Sequence, residues 1–104
     1  MKAKNEFRMT VESRSVNESF VRSAVAAFAA QLDPSIEEIA DIKTAVSEAV
    51  TNCIVHAYSE SVGKIYIYSA VYDDGRIKVS VRDRGCGIED IEKARTPLFT
   101  TLGG

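Results

Sequence analysis

The sequence has few of the residues on which metal sites and covalent catalysis usually depend. Its 104 residues include two cysteines and one histidine. Cys53 and Cys86 lie far apart with no second pair beside them, so we expect two reduced thiols rather than a zinc site. With His56 as the single histidine, no Ser/His/Asp or Cys/His nucleophile system is evident.

Long apolar segments and an excess of one charge are missing as well. No run approaches the roughly 18 apolar residues that span a bilayer, and residues 1–15 contain no signal-peptide core. The net charge is −2, with Lys and Arg scattered along the chain, so no basic surface for nucleic acid is evident. We therefore expect a cytoplasmic protein that contacts neither membranes nor nucleic acids directly.

Composition and hydrophobic patterning predict a single domain over residues 1–104. Hydrophobic residues make up 45% of the chain and charged residues 27%, which suits one globular core. Alternation of polar and apolar residues over residues 6–12 predicts a first strand. The stretch "KIYIYSAVYDDGRIKVSVRD" predicts two further strands joined by a tight turn at Asp73–Gly75.

Two helices are predicted between the first and second strands. We expect the first helix to start at a Ser15 or Asn17 cap, and the second to run from a Ser35 cap to about Tyr58. The predicted apolar face of the first helix comprises Phe20, Ala24, Ala27, Phe28 and Leu32. The predicted apolar face of the second helix comprises Ile36, Ile39, Ile42, Val46, Val50 and Cys53.

The predicted order of elements corresponds to a two-layer α/β sandwich, with both helices on one face of a mainly antiparallel sheet. A short helix over residues 88–94, ending before Pro97, is expected to follow the last of these strands. Phe7, Phe20 and Phe28 fit equally well in the core or on the surface of a homodimer.

An acidic residue ends the apolar row of the last predicted strand. Val79 and Val81 share one face, and Asp83 is the next residue on that face. A buried carboxylate is costly unless a partner meets it, and an exocyclic amine such as that of adenine would be a suitable donor. Gly85 and Gly87 would let the backbone pass close to a flat ring, although glycines also suit an ordinary strand-to-helix turn.

A polar row lies on the second predicted helix. Glu48, Asn52 and His56 are spaced by four residues and fall away from the apolar face. A solvated helix face would show the same spacing. The flanking Ala45 and Ala49 have small side chains, however, and leave room for a ligand to approach the helix backbone closely. A carboxylate can accept a proton, and an asparagine oxygen can bind Mg²⁺ that is shared with nucleotide phosphates.

Both features resemble motifs of one superfamily. The segment "EAVTN", residues 48–52, resembles the N box of the GHKL ATP-binding domains, and "DRGCG", residues 83–87, resembles their first glycine box. From about Asn5 to Thr101 the chain is similar to the small anti-sigma-factor serine kinases of that superfamily. The resemblance implies ATP or ADP and Mg²⁺ as cofactors, and phosphoryl transfer to a serine.

The resemblance also implies a role for each motif residue. Glu48 would be the general base, Asn52 would coordinate Mg²⁺, and Asp83 would recognise the adenine amino group. The residues that would shape the adenine side of the pocket and begin the lid over the phosphates are Gly85, Gly87, Thr100 and Thr101. Arg22 would face the protein partners, a sporulation sigma factor and an anti-anti-sigma factor phosphorylated on serine, and the protein would form a homodimer.

Two departures and two alternative functions accompany this resemblance. The family's second glycine-rich box has no counterpart here, so we expect a C-terminally incomplete domain, and Ala57 replaces a common glycine.

One alternative is a non-catalytic module that sequesters a sigma factor and uses nucleotide only structurally, for which Glu48 would be dispensable. The other, the catalytic domain of a histidine kinase, is disfavoured because no helix with a phospho-accepting histidine precedes the first strand.

Overall fold

The computed structural model describes residues 2–57, 60–83, 93–94 and 98–101. In chain order, the helices and strands are β1 (Asn5–Glu12), α1 (Val16–Ala29), α2 (Ile36–Asn52), β2 (Lys64–Val71), β3 (Arg76–Asp83), β4 (Lys93–Ala94) and β5 (Leu98–Thr101). A 3₁₀ turn at Ala30–Leu32 follows α1, and a π-helical turn at Cys53–Ala57 follows α2. Within the described ranges, neither helix has the length and apolarity needed to cross a bilayer.

Three antiparallel strands form the body of the sheet, and two short strands extend it. β2 lies between β1 and β3 and pairs with both. Along the other edge of β3, β5 pairs with residues 76–79 and β4 pairs with residues 82–83, both antiparallel. The side chains of α1 and α2 share one core with one face of this sheet. The predicted two-layer α/β fold is therefore confirmed.

The core lies where the helices meet the sheet. Ile67 at the centre of β2 lies opposite Met9 on β1 and opposite Val81 on β3, so the three strands present their apolar residues in register. Burying each large aliphatic side chain stabilises the fold by about 1.5–3 kcal/mol. The largest apolar side chains that are fully buried belong to Val21, Val25, Val46, Val50, Ile65, Ile67, Val71, Ile77 and Val81.

The helix-free face of the sheet carries polar and aromatic side chains. The Tyr68 hydroxyl donates a hydrogen bond to Glu6 Oε1 at 2.6 Å, and the Arg8 guanidinium lies 4.7 Å from the Tyr68 ring centre. The bond to Glu6 holds the tyrosine proton and raises the pKa of Tyr68 above its usual value. A pocket at this face is lined by residues that include Tyr66 and Arg82, and Asp83 at the end of β3 also borders it.

The two helices begin in different ways. Ser35 caps α2 as predicted, because its Oγ accepts the Glu38 backbone N–H at 3.1 Å while Glu38 Oε1 accepts the Ser35 N–H at 2.8 Å. Ser15 occupies the corresponding position of α1, but its side chain makes no capping hydrogen bond. The Asn17 amide instead donates to the carbonyl of Glu12 at 2.8 Å. The position of the first cap is right, whereas its hydrogen bond is not formed.

The predicted apolar face of α1 is rotated from the buried one. Phe20, which the pattern allowed either in the core or on a dimer surface, is 56% exposed. Phe28 is half-buried and its ring contacts Phe7, with centroids 4.7 Å apart. Because this helix is rich in alanine, its small residues fit two neighbouring faces, and the β-branched residues decide which one is buried. The fully buried side chains of α1 are Val21, Val25 and Ala29.

The second helix extends to Ala57, close to its predicted end, because a π-helical turn at Cys53–Ala57 continues the α-helical part that ends at Asn52. One prediction about the end of an element is wrong. The short helix expected over residues 88–94 fails at its end, because Lys93 and Ala94 form β4 beside residues 82–83. The edge of β3 offers backbone donors and acceptors there, and pairing with them outweighs local helix propensity. The remainder of that predicted helix lies outside the described residues.

Candidate functional site

The polar row predicted on the second helix lines an open groove. Glu48 and Asn52 lie one turn apart on α2, and both side chains are exposed. They line the same groove together with Ser47 and Thr51. A carboxylate and an amide oxygen are thus placed side by side, away from the core and accessible from solvent. His56 lies in the π-helical turn beyond them and is exposed.

Asp83 occupies the opposite environment. It ends β3 on the face that packs against the helices, and only 1% of its surface is exposed. The thiol of Cys53 donates a hydrogen bond to Asp83 Oδ2, with sulfur and oxygen 3.3 Å apart. Cys53 is fully buried and directly follows Asn52 in the chain. The end of α2 therefore carries an exposed amide and, one residue later, a contact with the buried carboxylate.

A polar contact joins the two helices next to Glu48. Arg22 on α1 pairs with Glu18 one turn earlier, with Nη1 3.0 Å from Oε2, and Nη1 also lies 3.4 Å from Ser47 Oγ on α2. The Ser47 hydroxyl donates to the same oxygen of Glu18. Arg22, Lys43 and Glu48 line one shallow groove between these helices. The structure thus brings the predicted partner-binding arginine close to the predicted base.

The remaining predicted site residues are not brought to this groove in the described part of the chain. Gly85 and Gly87 lie outside the described residues. The backbone of Thr100 and Thr101 belongs to β5, opposite Ile77 and residue 76 at the start of β3. Asp83 is at the other end of that strand, and a strand of this length spans roughly 20 Å. The lid role expected of the two threonines stays a prediction.

The donor set of the groove fits a hard cation in one respect. The exposed amide oxygen of Asn52 is a donor of the kind that Mg²⁺ prefers, and Mg²⁺ keeps several waters and shares the oxygens of substrate phosphates. In the described ranges, no three His, Cys, Asp or Glu side chains form a cluster that could hold a metal ion. Asn52 would therefore act with nucleotide oxygens rather than within a protein cage.

The contributions of Glu18, Ser47 and Cys53 to the site were not predicted from the sequence. Glu18 and Arg22 are four residues apart on α1, and that spacing is a sufficient signal for their ion pair. Ser47 carries no comparable signal, because its contact crosses from one helix to another. Cys53 was placed correctly on the apolar face, but its contact with Asp83 depends on how the end of α2 meets β3.

Comparison with known proteins identifies the family to which this sequence is similar. The sequence matches the histidine kinase-like ATPase domain family over residues 10–102. It is 60% identical to an anti-sigma F factor of Caldanaerobacter subterraneus subsp. tengcongensis, over 97% of this chain and 70% of that protein. Anti-sigma F factors of Geobacillus kaustophilus and Heyndrickxia coagulans are 53% and 52% identical, each over 94% of this chain and 67% of its own length.

Proposed function

The chain belongs to the histidine kinase-like ATPase family, and we propose that it is an ATP-dependent protein-serine kinase that also acts as an anti-sigma factor. The family resemblance inferred from "EAVTN" and "DRGCG" is confirmed, since relatives at 52–60% identity are named anti-sigma F factor. Membership of an ATPase family implies nucleotide binding. The serine substrate, the sigma factor and Mg²⁺ belong to the proposal.

The observation that supports this proposal most directly is the shared groove of Glu48 and Asn52. Both side chains are exposed, one turn apart, and border the same open space. A phosphoryl-transfer site needs a group that accepts the hydroxyl proton beside a group that helps to hold the nucleotide's cation. A helix that served only to bind a protein partner would not require a carboxylate at position 48.

Each residue then has a defined task. Glu48 accepts the proton of the attacking serine hydroxyl as that oxygen bonds to the γ-phosphorus of ATP and ADP leaves. Asn52 contributes its amide oxygen to the cation, which supplies charge neutralisation on the phosphate oxygens when bound. Asp83 accepts a hydrogen bond from the adenine amino group, with Gly85 and Gly87 shaping that side of the pocket. Because Asp83 is buried, water competes little for its carboxylate.

The partners in this proposal follow from the names of the relatives and from the surface around Arg22. A sigma factor and an anti-anti-sigma protein would bind beside Arg22, which borders the same shallow groove as Glu48. The acceptor serine could then approach the base without a large rearrangement. The proposal also includes a homodimer, a role in sporulation and a cytoplasmic location, where sigma factors act.

The first test is calorimetric titration of the full chain with ADP and ATP, with and without Mg²⁺, and with GTP as the control nucleotide. We expect adenine-selective binding that is strengthened by Mg²⁺. Equal affinity for GTP and ATP would contradict the role of Asp83, and no binding of either nucleotide would overturn the proposal for this chain.

The second test separates a kinase from a module that only sequesters a sigma factor. Glu48→Ala should keep nucleotide affinity within about twofold and reduce phosphorylation of the anti-anti-sigma protein by at least roughly a hundredfold, the scale of a lost general base. Glu60→Ala, which removes an exposed carboxylate away from the groove, is the matched control. If Glu48→Ala transfers phosphate at the wild-type rate, Glu48 is not the base.

A further inference from the structure

The contact between Cys53 and Asp83 is a hydrogen bond inside the core. Cys53 is 0% exposed and Asp83 1% exposed, and the sulfur–oxygen distance is 3.3 Å. The two residues come from different elements, the turn after α2 and the end of β3. Their contact therefore joins the turn after α2 to the end of β3, beside the residues of the proposed nucleotide site.

A buried thiol has a distinct effect on a neighbouring carboxylate. The S–H group is a weak donor, so it directs one oxygen of the carboxylate without the strength of an ion pair. With almost no water in the site, even a weak hydrogen bond biases the orientation of the carboxylate plane.

The backbone around Cys53 supports a specific role at this position. Asn52 ends α2 and is exposed, whereas Cys53 is fully buried and starts a π-helical turn. Such turns are rare in helices and occur frequently at functional sites. The change from α-helix to π-helical turn places the side chain of Asn52, the proposed metal ligand, in the groove. It places the thiol of the next residue, Cys53, against Asp83.

We propose that Cys53 is a positioning residue that sets the preference for adenine over guanine by orienting the Asp83 carboxylate. This inference rests on the proposed function of Asp83. Adenine presents an amino group where guanine presents a carbonyl oxygen. A carboxylate held in one orientation accepts from the first and repels the second, and a carboxylate that can rotate discriminates less well.

Two substitutions separate this role from simple packing. Cys53→Ser replaces the thiol by a hydroxyl and so keeps a hydrogen-bond donor near Asp83. Cys53→Val fills the site with apolar atoms and removes the donor. If Cys53 only packs the core, valine is the better replacement. If Cys53 orients Asp83, serine is the better replacement. Should Cys53→Val fail to fold, Cys53→Ala removes the same donor without added volume.

The measurement is the ratio of the dissociation constants for GDP and ADP, determined by calorimetry on the full chain, together with a thermal melt of each variant. A hydrogen bond of about 1 kcal/mol corresponds to a roughly fivefold change. We expect the ratio to fall by about fivefold in Cys53→Val or Cys53→Ala and to stay within about twofold of wild type in Cys53→Ser. If the substitution only loosened the fold, the affinities for ADP and GDP would fall together and their ratio would stay unchanged.

The outcomes distinguish failure of the inference from failure of the proposed function. If the wild-type chain shows no preference for ADP, the proposed role of Asp83 fails, and the role of Cys53 fails with it. If the wild-type chain prefers ADP and the valine or alanine variant keeps that preference, only the role of Cys53 is overturned. The same holds if the serine variant loses the preference while its melting temperature is unchanged.

Discussion

Replacing Asp83 by asparagine is the most direct perturbation of the proposed adenine site. The substitution keeps the size of the side chain and removes its charge. Asp83 is only 1% exposed, so solvent does little to weaken its hydrogen bonds. A hydrogen bond to a charged group contributes about 1.5–3 kcal/mol, which corresponds to a roughly 10- to 150-fold change in affinity for ADP.

The same change should improve binding of the wrong nucleotide. An asparagine amide can turn its NH₂ group towards the carbonyl oxygen of guanine, which a carboxylate cannot do. The Cys53 thiol can still donate to the amide oxygen, so this contact is compatible with the substitution. We therefore expect the ratio of the GDP and ADP dissociation constants to approach unity in Asp83→Asn, because affinity for ADP falls and affinity for GDP rises.

Calorimetric titration with ADP and GDP measures both effects on the full chain. Asp73→Asn is the matched control, because Asp73 is an exposed carboxylate in the turn between β2 and β3. A urea titration of each variant shows whether the fold is intact. If Asp83→Asn remains folded and keeps the wild-type ratio of affinities, Asp83 does not recognise the base and the proposed pocket is wrong.

Three further predictions follow from other contacts. Asn52→Ala should reduce the gain in ADP affinity that Mg²⁺ provides, with little effect on metal-free binding; calorimetry that shows an unchanged metal dependence would exclude Asn52 as a ligand. Ser35→Ala should lower the free energy of unfolding in urea by about 1 kcal/mol. Ser15→Ala, whose side chain makes no capping bond, should cost less, and equal losses would contradict this assignment. Glu6→Gln should lower the raised pKa of Tyr68, which alkaline absorbance titration would detect. Because that pKa is raised on folding, the associated stabilisation is complete below the unfolded value of about 10 and declines as the pH rises through the folded value.

The sheet and the second helix could be predicted because their signals are local and strong. Alternation along β3 and the Asp73–Gly75 turn fix which strands pair and which face is buried. The cap at Ser35 needs only residues within one turn of it. The buried face of α1 could not be predicted, because alanines tolerate burial and exposure alike and Phe20 fitted either environment. β4 was missed because its pairing depends on a strand that precedes it in the chain, not on its own composition.

The exposure of the candidate site residues could be predicted from the sequence, whereas their contacts could not. The four-residue spacing of Glu48 and Asn52 predicted a row away from the buried face, and both residues are exposed and border one groove. Alternation along β3 predicted that Asp83 would be buried. The hydrogen bonds around these groups could not be predicted from hydrophobic spacing, because they join elements far apart in the sequence. Ser47 on α2 bonds to α1, and Cys53 bonds to β3.

The contrast in exposure between the three proposed site residues matches what each would have to do. A base and a metal ligand must meet phosphates and a protein substrate that arrive from solvent, so Glu48 and Asn52 lie at the surface of α2. A group that recognises one nucleobase gains selectivity from burial, because the wrong base then leaves polar atoms unpaired where water cannot compensate. Asp83 is the one buried charged residue in the described part of the chain. Burying it costs free energy, and the proposed hydrogen bond from a ligand amine would offset part of that cost.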